Sequence, residues 1–437
     1  MKPFTLCALL VLFTVSLPAF GFTEAGKTKL DLLATAAVST KKSAATAAIA
    51  ELRKNGQPGL DALAAKHALQ IAAFKQTGKK TPEWQRIAIA LDAVAMQKDS
   101  YAAQLYWFTD LELAKAEAAK SGKPILSLRL LGNLTEELSC ANSRFFRAVL
   151  YPNTAISGQL RENFILHWKS VRPAPKVTVD FGDGRKIETT ITGNSIHYVL
   201  DGQGNVLDAI PGLYGPEAFR QILTSAQEEA ATAIFLKNNP KARKQNLTRY
   251  HQTRLQTIQE NWGSDLQLAK VALTRPAGET AELAAPTAIT ASFRAMAKAA
   301  AETRLLPVVT LQNRIALLET DTDLPKWAEI AKLRRKEAKI DAAGAAFISR
   351  KTGAKNAREI IAKFEENLAL DTVRNEYLFH SKLYAMLAQG EAADLEKFND
   401  KVYAQLFLTP SSDPWLGLMA PDVFTGIEGG GVTGNDD

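Results

Sequence analysis

Apolar positions recur at helical spacing along most of this chain, but in the middle they fall into short runs. Residues 22–100 are rich in alanine and leucine and read as helix, broken at Asn55-Gly56-Gln57-Pro58-Gly59. Thr81-Pro82-Glu83 opens a further helix with a cap residue and a proline in its first turn. Its apolar positions are Trp84, Ile87, Ile89, Leu91 and Val94, running toward Met96.

Residues 101–235 change character. Thr109-Asp110 precedes an alanine-rich helix, Leu111 to Lys120, which Ser121-Gly122 stops. Ile125 to Leu131 is a short buried strand. A loop, a helical stretch beginning after Cys140 and a helix from Thr154 to Glu162 lead to a strand over Phe164–Trp168. Two hairpins follow. The first joins Lys176–Phe181 to Arg185–Ile191 around Gly182-Asp183-Gly184, and the second joins Ile196–Leu200 to Val206–Ile210 around Asp201-Gly202-Gln203-Gly204. Pro216-Glu217 opens a closing helix. A βαβ unit followed by ββα predicts an α/β domain with a mixed sheet.

Residues 236–407 return to helix, with breaks near Asn238-Asn239-Pro240, between Pro276 and Pro286, at Pro307 and at Leu324-Pro325. No repeat of fixed period is present. Residues 408–437 read as a loop and a flexible tail ending beyond Gly429-Gly430-Gly431, although the Trp415 segment is apolar enough to dock on the body.

The first 21 residues change how the cysteines are counted. Lys2, an apolar stretch from Phe4 to Leu17 and Ala19-Phe20-Gly21 have the form of a signal peptide with a cleavage site. The expectation is an exported chain, periplasmic or extracellular, with no transmembrane segment after signal removal. Cys7 leaves with the signal, and Cys140 remains as the lone thiol. In an oxidising compartment such a thiol is either well buried or chemically used.

A net charge of +7 is modest for 437 residues. Basic runs at Lys237–Arg254 and Lys332–Lys339 read as solvated helix faces, and no nucleic-acid-binding motif accompanies them. The chain has five histidines, and none stands at metal-ligand spacing with Cys140, so no metal and no cofactor are expected.

Cys140 begins a predicted helix, where unsatisfied N–H groups and the helix dipole favour thiolate over thiol. Arg144 and Arg147 follow within about two turns, and the Ser143 hydroxyl is placed to donate to the sulfur. Ser143 cannot attack a mixed disulfide, so any chemistry here is monothiol: a mixed disulfide with a protein or small-thiol partner, or a sulfenic acid. This reading predicts an accessible Cys140 with a depressed pKa. The alternative is a buried, inert cysteine.

Trp107, the helix Asp110–Lys120, Gly122-Lys123-Pro124, Ser139-Cys140, Tyr151-Pro152-Asn153 and Leu160-Arg161-Glu162-Asn163-Phe164 together resemble the thioredoxin superfamily over about 130 residues. The resemblance implies a thioredoxin-like mixed-sheet domain flanked by N- and C-terminal helical regions. It places Cys140 at the first cysteine of C-x-x-C, Ser143 at the second, and Ser195 where that family carries a cis-proline. Asn142, Arg144 and His197 are accessory candidates, and His197 is either a base near the thiol or a hydrogen-bonded strand histidine. Two functions follow: an exported monothiol thiol-disulfide redox protein using Cys140, or a non-catalytic binding or scaffold protein on a degenerate thioredoxin fold.

Overall fold

The computed structural model describes residues 24–190, 193–271, 324–353 and 355–416, with residues 426, 427 and 432. The expected signal segment, the expected breaks between Pro276 and Pro307, and the triple glycine of the tail lie outside the described residues. No described helix is long and apolar enough to cross a membrane.

Five helices open the chain: α1 (Glu24–Ala37), α2 (Lys42–Lys54), α3 (Gly56–Lys66), α4 (Ala68–Thr77) and α5 (Pro82–Ala95). Their apolar faces make a core of Ala34, Leu52, Leu60, Leu63, Ile87, Leu91 and Val94, with Phe74 stacked on Trp84 at 4.0 Å. The helical run breaks at Asn55, as expected, and α3 restarts directly at Gly56. Gly59 permits this tight α2–α3 packing: a Cβ there would lie 2.0 Å from the Leu52 carbonyl oxygen. Thr81 caps α5 as its sequence predicts, its Oγ1 accepting the Trp84 N–H at 3.0 Å. Ile89, expected on the apolar face, is exposed.

The centre of the molecule is a mixed five-stranded sheet. Its strands are β1 (Trp107–Phe108), β2 (Ile125–Leu131), β3 (Ile165–Arg172), β6 (Ser195–Leu200) and β7 (Val206–Pro211), in the order β1-β3-β2-β6-β7. β1, β3 and β2 run parallel, and β6 and β7 are antiparallel to their neighbours. β4 (Lys176–Asp180) and β5 (Lys186–Thr190) form a separate two-stranded hairpin. Strands β2, β6 and β7 are buried along their whole length, as expected when both faces are covered.

Helices α6 (Leu111–Ser121), α7 (Ala141–Phe145), α8 (Thr154–Asn163) and α9 (Pro216–Phe235) belong to this segment, and α7 widens into a π turn over Phe146–Leu150. One sheet face receives Phe146, Tyr151 and Phe219 around His197. The other carries Ser127, Arg129, His167 and Tyr198.

The C-terminal helices are α10 (Pro240–Leu268), α11 (Leu324–Leu333), α12 (Ala342–Thr352), α13 (Ala357–Arg374), α14 (Ser381–Ala388) and α15 (Leu395–Lys401). Their apolar residues join the core of the sheet. α15 docks through Glu396, which binds the buried Arg129 at 2.8 Å and Lys169 at 2.9 Å. The two basic runs are not simply solvated faces. Arg243 pairs with Asp201, Arg254 reaches the Tyr384 hydroxyl at 3.3 Å, and Arg334 binds Asp265 at 3.1 Å and Glu337 at 3.0 Å. Apart from Glu337, three residues from Arg334, these partners come from distant segments, which local charge density cannot reveal.

Candidate functional site

The loop after β2 returns to the sheet before α7 begins. The Gly132 N–H donates to the Arg172 carbonyl at 2.7 Å, and the Cys140 N–H donates to the Leu131 carbonyl at 3.1 Å. Gly132 has φ +73°, and a Cβ there would sit 3.3 Å from the Ser139 Cα. This turn delivers Cys140 to the N-cap of α7, the position its sequence predicts.

The expected accessibility is overturned. Cys140 is fully buried within the sheet core. Burial pushes its thiol pKa up, and it outweighs the opposing pull of Ser143, the Leu131 backbone and Arg144. α7 contributes only five residues before the helix widens, so the favourable helix terminus is short. Ser143 Oγ lies 2.6 Å from Ser139 Oγ and 2.8 Å from the Cys140 carbonyl oxygen, so its hydroxyl closes the helix start.

Of the other sequence candidates, Asn142, Ser143, Ser195 and His197 are buried as well, and Arg144 is half-buried. Asn142 is in the core, with Nδ2 lacking a hydrogen-bond partner. Arg144 donates to Thr190 Oγ1 at 2.7 Å, bracing the end of β5. Ser195 opens β6 across from Leu130, the bond before it is trans, and its carbonyl accepts the Gly212 N–H at 2.8 Å. His197 Nε2 lies 2.9 Å from the Tyr151 hydroxyl, and burial lowers its pKa to about 3. It is therefore neutral at physiological pH. Burial pushes the Tyr151 phenol pKa well up, and a charge on Cys140 would add to the rise.

The C-terminal segment closes the site. Tyr403 lies in the π turn that follows α15, and its hydroxyl approaches the Asn194 carbonyl at 3.4 Å. Burial pushes its phenol pKa up, and a charge on Cys140 would add to the rise. Thr409 Oγ1 accepts from Asn194 Nδ2 at 3.2 Å, while Arg172 donates to the Thr409 carbonyl at 2.9 Å and the Asp413 carbonyl at 3.0 Å. The segment 403–413 is thus fastened to the Asn194–Ser195 turn and to the end of β3.

A second titratable cluster lies where the C-terminal helices meet β7. Asp208 is fully buried, and burial raises its pKa. Its Oδ2 accepts from the Tyr250 hydroxyl at 2.5 Å, and its Oδ1 accepts the Ala209 N–H at 2.7 Å. His251 Nε2 sits 2.9 Å from the Leu207 carbonyl oxygen, and His380 stacks on Tyr384 at 4.3 Å. Sequence analysis missed this cluster. Its signal is one acidic residue in the apolar run Val206-Leu207-Asp208-Ala209-Ile210.

Glu229 on α9 belongs to the same region, with Asn246 Nδ2 donating to both its oxygens at 2.9 and 3.1 Å. Burial raises its pKa from 4.5 to about 7, Asp208 adds to the rise, and Asn246 and Arg243 oppose it. The folded state therefore favours the protonated carboxyl. The stability this gives is complete below pH 4.5 and is lost as pH rises through about 7. Urea midpoints measured across this range are expected to fall with rising pH, and the Glu229→Gln variant is expected to flatten the slope. An identical slope in both chains would contradict the assignment.

Among the described residues, no group of three or more histidine, cysteine, aspartate or glutamate side chains is placed to hold a metal ion. No family model, curated protein or solved structure matches this chain.

Proposed function

We propose that this chain is an exported, non-catalytic binding or scaffold protein on a degenerate thioredoxin-like fold. The β1-β3-β2-β6-β7 order supports the fold reading, with a parallel β1-β3-β2 half, antiparallel β6 and β7, and a helix opening at Cys140. The observation that carries the functional reading is the full burial of Cys140 in the core that the sheet shares with Tyr403, with its pKa raised. A nucleophilic thiol must reach its partner as thiolate, and this sulfur is denied both solvent and charge. Ser143, Asn142 and Ser195 then serve packing and helix closure, and His197 is a hydrogen-bonded strand histidine.

Intact-mass measurement after incubation with glutathione disulfide tests this reading. The native chain without residues 1–21, and so without Cys7, is expected to stay unmodified, while the same chain unfolded in urea accepts one glutathione at Cys140. The Cys140→Ala variant is expected to keep the fold. Rapid formation of a mixed disulfide by the native chain would favour the monothiol redox reading instead.

A further inference from the structure

The β4–β5 hairpin stands apart from the main sheet, and its side chains alternate cleanly. Lys176, Thr178, Asp180, Lys186 and Glu188 lie on one face, while Val177, Val179, Ile187 and Thr189 lie on the other. Such alternation is the mark of a sheet with one covered face. Here Val179 is 36% exposed, Ile187 40% and the adjoining Phe181 48%. A lone two-stranded hairpin is marginally stable in water, and additional strands stabilise it.

Its two outer edges differ. The Phe181 N–H donates to the Arg185 carbonyl at 3.1 Å, which fixes the alternation of the ladder. Lys176, Thr178 and Asp180 therefore turn their backbone groups away from β5. All three are exposed, and β4 pairs with no other described strand. The β5 edge is tied to the body, where Thr190 is buried, accepts from Arg144 at 2.7 Å and donates to the Ser139 carbonyl at 3.3 Å.

We propose that two copies of this chain associate through the free edge of β4, joining their hairpins into a four-stranded antiparallel sheet about a two-fold axis at Thr178. Charge complementarity selects this register. It sets Lys176 of each copy opposite Asp180 of the other, on hydrogen-bonding positions, where the carboxylate that already pairs with Lys186 of its own hairpin at 2.9 Å gains a second cation, and sets Val177 opposite Val179 on the shared apolar face. The equivalent pairing of β5 about Glu188 would set that carboxylate against itself, which is unfavourable. The association is isologous, as closed homodimers require. It does not depend on whether Cys140 reacts.

Sedimentation equilibrium over a micromolar concentration series tests the proposal on the full chain. A reversible monomer–dimer equilibrium is expected. Thr178→Pro removes an outward N–H that the hairpin itself does not use, so it is expected to abolish the dimer while the fold persists. Lys176→Asp and Asp180→Lys each place like charges opposite one another and are expected to weaken self-association roughly tenfold. In a one-to-one mixture of these two variants every like pair becomes an opposite pair, and a heterodimer is expected. Either a strictly monomeric parent chain or a dimer indifferent to all three substitutions would overturn the proposal, as would a mixture no tighter than its parts.

Discussion

Trp107→Ala is expected to leave little or no folded protein. The indole is fully buried, lies 5.2 Å from the Tyr151 ring and donates its N–H to Gln97 Oε1 at 2.8 Å. Removing a buried Trp side chain costs about 3–5 kcal/mol. Stranding the buried Gln97 acceptor adds about 1–3 kcal/mol. Domains of ordinary stability have only about 5–15 kcal/mol to lose. Trp107→Phe keeps most of the packing and loses the donor, so its urea midpoint is expected between those of the parent chain and the alanine variant. A Trp107→Ala chain within about 1 kcal/mol of the parent would contradict this account of the β1 edge.

The second large effect is expected at Tyr403. Its ring is buried against Phe407 at 5.1 Å, and the turn after it is fastened by the Thr409 N–H donating to the Tyr403 carbonyl at 2.8 Å. Tyr403→Ala is expected to cost about 3 kcal/mol and to open the covering over Cys140. If sulfur becomes reachable only by opening, that cost corresponds to a roughly hundredfold faster reaction of Cys140 with a maleimide. Unchanged labelling in a destabilised Tyr403→Ala chain would show that this segment does not guard the thiol.

The strand Ile125–Leu131, the Asp201–Gly204 hairpin and the cap at Thr81 are written in local chemistry, and each lies where the pattern puts it. Cys140 at the start of a helix was equally legible. Its burial was not, because the covering groups, Tyr403 and Thr409, come from the far end of the chain. The same holds for Arg129, an arginine in a central strand whose partner Glu396 arrives on α15. Periodicity says which face of an element is apolar, and it says nothing of what will cover a polar residue. The break at Asn55–Gly59 was legible too: α2 ends at Lys54 and α3 starts at Gly56, with Pro58 in the first turn of the new helix and Gly59 required by the approach of the Leu52 backbone.

We propose that Cys140 is a core sulfur and not a reactive site. The most direct measurement is the alkylation rate of Cys140 in the native chain as a function of pH, with Cys140→Ala as the blank and the urea-unfolded chain as the reference. The account predicts labelling at least about a thousandfold slower in the native state, since the sulfur reacts only when the structure opens. Native labelling as fast as the unfolded reference, with a midpoint below the ordinary thiol value of about 8.5, would contradict it.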